Sequence, residues 1–90
     1  MNKVPNDKWS VEDNLYVLEQ TNANFSRVEW QTLMKQIAKA IDKKPLSVAR
    51  TVDNCKFIAT GKGLSHTSSS QEEATKIFIE RHGKKMFKLI

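Results

Sequence analysis

The sequence predicts an all-α fold: three helices in a helix-turn-helix arrangement, with an additional C-terminal helix. Three observations carry this. Serine stands three residues ahead of a carboxylate at Ser10 with Asp13, Ser26 with Glu29, and Ser70 with Glu73, and each pair opens an apolar helical pattern. Trp30, Leu33, Met34, Ile37, Ala38 and Ile41 recur at i, i+3, i+4, i+7, i+8 and i+11, the period of one helix face. Outside the last seven residues, KKMFKLI, no segment reads as a strand.

The first helix is expected over residues 11–20. Ser10 caps its free amides, Asp13 reaches back, and Val11, Leu15 and Leu18 form the apolar stripe. Thr21, Asn22, Ala23 and Asn24 read as a turn. The second helix is expected over residues 27–41, and residues 42–44 make a short polar turn. Pro45 suits the first position of a third helix, where a missing N–H costs nothing. That helix should reach about Ala59, with Val48, Val52, Cys55 and Ala59 inward and the glycines at 61 and 63 ending it. Residues 61–69 are small and polar, a loop or hinge. A fourth helix is expected over residues 71–82, with Ala74, Ile77 and Phe78 inward and Gly83 as its stop. The tail docks as a short strand or helical turn, or stays loose. Residues 1–60 thus form the tri-helical domain. Residues 61–90 pack on the same domain or form an interface.

Bulk numbers restrict the function. Ninety residues make one small domain with a thin core. Hydrophobic residues at 39% and charged ones at 28% describe a folded soluble chain. The net charge of +5 favours an anionic partner. A single cysteine forms no intrachain disulfide and fits a reducing compartment. The first ten residues, MNKVPNDKWS, lack the apolar region of a secretory signal, and no run matches a membrane span. An intracellular location is expected, in cytoplasm and nucleoid or in a nucleus.

A short turn between the second and third helices leaves the outer face of the third free for a major groove. On a helical wheel Arg50 and Asn54 lie close together, with Ser47 beside Asn54 and Thr51 next on the rim. Arginine bridges guanine O6 and N7, asparagine bridges adenine N6 and N7, and serine and threonine are less selective. Lys43 and Lys44 stand where phosphates would approach, and Lys84 and Lys85 belong to the densest positive region.

Trp9-Ser10-x-Glu12-Asp13, Leu15, Trp30, the run from Ile37 through Ala38 to Ile41, and Lys44-Pro45-Leu46-Ser47-Val48-x-Arg50 together resemble the Myb/SANT-like branch of homeodomain-like domains. The resemblance spans roughly residues 8–60. It implies a tri-helical fold and DNA binding through the third helix, with Arg50 and Asn54 as base-reading positions. SANT-type members bind proteins instead, which the resemblance implies as the alternative.

Each signal has a plainer reading. Arg50 and Asn54 also suit a solvated face, where Arg50 would pair with Asp53. Phe57 lies beside Arg50 on the wheel, so either the fourth helix covers it or it marks a protein interface. Cys55 reads as a small buried hydrophobe. One cysteine with His66 and His82 matches no metal spacing and no catalytic dyad, and Gly61-Lys62-Gly63 reads as a helix stop rather than a phosphate loop. The expectation is a non-enzymatic regulator without cofactor that binds double-stranded DNA, with no membrane partner. The alternative is a protein-interaction module that docks on a larger complex. A homodimer or protein contact through the C-terminal helix and tail fits either.

Overall fold

A computed structural model describes residues 8–61 and 68–90. Residues 62–67 of the loop expected over 61–69, with Gly63 and His66, and the first seven residues lie outside them. The described residues are all-helical: α1 (Val11–Asn24), α2 (Trp30–Ile41), α3 (Pro45–Thr60), α4 (Ser69–His82) and α5 (Lys85–Leu89). None of these helices is long and apolar enough to cross a membrane.

Local chemistry sets the helix starts. At α1 the Ser10 hydroxyl accepts from the Asp13 amide at 3.0 Å, and the Ser10 amide donates to Asp13 Oδ2 at 3.1 Å. Asp13, the shorter acid, therefore completes a full reciprocal cap. The second expected cap does not form. The Glu29 carboxylate itself caps α2, accepting from the Thr32 amide at 2.9 Å and the Thr32 hydroxyl at 3.0 Å. Bonds from the Thr32 and Gln31 amides, then from the Thr32 hydroxyl, hold this carboxyl below its usual range. The stability it supplies is present at neutral pH and lost as pH falls through that lowered value. At α4 the box is Ser68 with Gln71, not Ser70 with Glu73. Pro45 occupies the first turn of α3 as expected.

The stops are backbone matters. Asp42 takes the left-handed conformation at φ 57° after α2, its amide reaching the Ala38 and Lys39 carbonyls. Gly61 does the same after α3 at φ 77°. The residues expected to turn after α1 instead continue it. Thr21 is buried, and the Asn24 side chain donates to the Gln20 carbonyl at 3.0 Å. Tertiary packing here overrides a turn-prone composition.

Two apolar clusters make the core. Val17, Leu33, Met34, Ile37, Ala38, Val48 and Val52 join α1, α2 and α3. Leu18, Cys55, Ala59, Phe78, Met86 and Phe87 join α1, α3, α4 and α5. Adjacent residues on α1, Val17 and Leu18, therefore serve different clusters. The inward face of α1 carries Asn14, Val17, Leu18 and Thr21, while Val11 and Leu15 are half-buried. On α4, Ala74 and Phe78 point inward as expected, whereas Ile77 is half-buried and packs on neither cluster. The tail docks as the helical turn α5: Phe87 meets Phe78 edge-on, ring centroids 5.5 Å apart.

Polar contacts fix where α4 sits. Buried Asn14 donates to the Ser70 hydroxyl at 3.2 Å, Asn54 Nδ2 donates to Gln71 Oε1 at 3.3 Å, and Glu19 takes His82 at 2.8 Å and Arg81 at 3.2 Å. Phe78 and Phe87 are the largest wholly buried side chains among the described residues, and their contact links α4 to α5. Phe78→Ala should cost about 3–5 kcal/mol in chemical denaturation, close to the whole stability of a domain this small.

Candidate functional site

The expected recognition face belongs to α3, and the structure divides it. Val48, Val52, Cys55 and Ala59 are buried, as their spacing predicts. Leu46, Arg50 and Asp53 are exposed, and Phe57 on the same stripe is half-buried. The flank between these two faces belongs to α4. Thr51 is only 3% exposed, under Trp9 and the first turn of α4. Asn54 is half-buried with its amide donated to Gln71, and its Oδ1 is buried without a partner. Neither Thr51 nor Asn54 is offered on the outer face.

Arg50 stays open. Its guanidinium forms no hydrogen bond or ion pair with any described residue, Asp53 included. With Ser47 and Thr51 it borders a cleft of about 300 Å³, closed by Trp9, Ser68, Ser70 and Gln71. Among the described residues, the cleft is lined by hydroxyls, an amide, one cation and one indole, and by no carboxylate. Ser47 is half-buried there.

The lysines are dispersed. Lys44 is exposed and occupies the N-cap of α3, where no side chain accepts from the first-turn amides. Lys43 donates to the Lys8 carbonyl at 2.8 Å and lies over the Trp9 ring, 5.4 Å from its centroid. Lys84 borders a separate groove with Lys56 and Lys88, at the far end of α3. Lys85 borders a third cleft with Phe25, His82 and Met86. Ser47, Arg50 and Thr51 are thus brought together, with Lys44 one turn away, and Lys84 and Lys85 join other surfaces. Two features escape a one-dimensional reading: Ser70 and Gln71 as walls of the cleft, and Lys56 as the partner of Lys84. Both depend on where α4 and α5 dock.

Among the described residues, no group of three histidine, cysteine or carboxylate side chains is placed to hold a metal ion. Burial pushes the Cys55 thiol up to about 11, partly offset by a hydrogen bond with the Thr75 hydroxyl. A thiol kept protonated at neutral pH is a poor nucleophile. Comparison of this chain with protein-family models, with curated proteins and with solved structures gives no match.

Two outcomes follow. Thr21→Val keeps the shape of a buried side chain and removes a hydroxyl that is buried without a hydrogen-bond partner among the described residues, so thermal unfolding should show no loss of stability and a gain of up to about 1 kcal/mol. A thiol whose folded pKa is raised loses stability as pH climbs from its unfolded value toward 11. Unfolding free energy should therefore decline by about 3 kcal/mol over that alkaline range, and Cys55→Ala should flatten the decline.

Proposed function

We propose that this chain is a non-enzymatic regulator that binds double-stranded DNA, setting the first two turns of α3 toward the major groove. One observation carries the reading. Arg50 is exposed on the outward face of α3 and has no partner among the described residues. A guanidinium in that position matches the paired acceptors of a guanine edge. Ser47 stands one turn before it as the less selective contact. Lys44 and the uncapped amides of the first α3 turn suit a phosphate, with Lys43 beside them.

This set is narrower than the sequence pattern suggested. Asn54 is tied to α4, Thr51 is buried, and Lys84 and Lys85 lie around other clefts, so base reading rests on Ser47 and Arg50. The overall charge of +5 supplies the non-specific attraction.

A second reading has its own observation. Leu46 is 63% exposed one turn before Arg50, and Asp53 and Phe57 continue the same stripe. An apolar side chain and a carboxylate suit a protein surface better than a phosphate backbone.

A salt titration with duplex DNA separates the two. DNA binding predicts a log–log slope of roughly −4 or steeper, from about 0.9 per phosphate contacted. On a site selected from random sequence, Arg50→Ala should cost about 1–3 kcal/mol, and on random DNA little. No association at low salt, or an Arg50→Ala affinity unchanged on every sequence, defeats the DNA reading and leaves the protein-docking one.

A further inference from the structure

The groove at the far end of α3 has a distinct chemistry. Lys56, Lys84 and Lys88 surround a cavity of about 550 Å³ whose floor is Ala59, Thr60 and Phe87. Among the described residues, no aspartate or glutamate lines it. The Lys56 ammonium donates to the main-chain oxygen of Ile90 at 3.0 Å. The groove thus presents cations around a partly apolar floor, a combination that fits carboxylates flanking an apolar side chain.

The same chain carries such an element. On α4, Glu73, Ile77 and Glu80 fall at i, i+4 and i+7, next to one another on the helix surface. Both glutamates are exposed, and neither forms an ion pair with a described residue. Ile77 is half-buried and packs on neither core cluster. Lys76 is exposed on the same side of the helix and dilutes the acidic charge without cancelling it. This stripe cannot enter the groove of its own chain, because α4 packs on α1 and α3 through its opposite side, with Ala74, Thr75 and Phe78.

We propose that the groove receives the Glu73–Ile77–Glu80 stripe of a second copy of this chain. Each copy has one groove and one stripe, so a two-fold arrangement makes the contact twice and closes on itself. The carboxylates meet Lys84, Lys88 and Lys56, and Ile77 covers the floor between them. The pairing does not depend on what α3 binds.

Sedimentation velocity of the full chain, without DNA, tests this. At low salt the protein should pass from monomer to dimer with rising concentration, and high salt should weaken the dimer. Lys84→Glu with Lys88→Glu should raise the dimer Kd at least about tenfold, and so should Glu73→Lys with Glu80→Lys. Mixing the two reversed variants should restore association between them, because each groove then again faces a stripe of opposite charge. All four positions are exposed, and circular dichroism checks that the helices survive. If a reversed variant loses helix content, Lys84→Gln with Lys88→Gln gives the same readout, a Kd raised severalfold. A monomer at every concentration, a Kd indifferent to these changes, or reversed variants that ignore each other would overturn the proposal.

Discussion

The rest of the structure depends on the burial of one stripe of α3. Val48 and Val52 close the cluster shared with α1 and α2, while Cys55 and Ala59 open the cluster shared with α4 and α5. A helix of 16 residues is about 24 Å long, enough to hold two cores end to end. The change in side-chain size along the stripe matters. Where the neighbours are Leu33 and Ile37, α3 offers valines. Where they are Phe78 and Phe87, it offers a thiol and a methyl, so rings fill the space the helix leaves.

Apolar burial pulls α4 in, but polar contacts decide its register. Asn14 meets Ser70, Asn54 meets Gln71, and Glu19 meets Arg81 and His82, one tie near each end and one across to α3. Sliding α4 by one residue would break them together. The arrangement has a cost, because Asn14 Oδ1, Thr21 Oγ1 and Asn54 Oδ1 are buried without partners among the described residues. Such groups specify one geometry more than they add stability. They also draw Asn54 away from the outer face, so the docking of α4 and the chemistry left on α3 are a single structural decision.

This explains which features were legible in the sequence. The α2 pattern and the α3 stripe were readable because both reflect a helix period against a core. The α3 bounds were readable because Pro45 and Gly61 act locally. Two of the three serine caps were misplaced for a shared reason. Several residues near each helix start could cap, and the winner is the one that tertiary packing leaves in extended conformation: Ser68 instead of Ser70, whose hydroxyl Asn14 engages, and Glu29 instead of Ser26. Thr51 and Asn54 looked outward because a wheel shows only a helix's own symmetry. The shift of a buried face by a helix arriving some twenty residues later leaves no local trace.

What remains on α3 limits how it could act alone. A well-placed arginine pair with guanine discriminates by about 1–3 kcal/mol, whereas specific sites exceed non-specific DNA by about 4–10 kcal/mol. Ser47 adds little selectivity, and Leu46 and Asp53 on the same stripe add none toward a phosphate backbone. On the proposed DNA reading, a single copy would give weak, mostly electrostatic association. Discrimination at the usual scale would then require a second α3 held at a fixed spacing, as in dimeric helix-turn-helix proteins. The cations around Phe87 and the carboxylates around Ile77 lie away from the Arg50 cleft, on α5 with the end of α3 and on the outward side of α4. The proposed self-association and the proposed recognition would therefore use separate surfaces of one small fold.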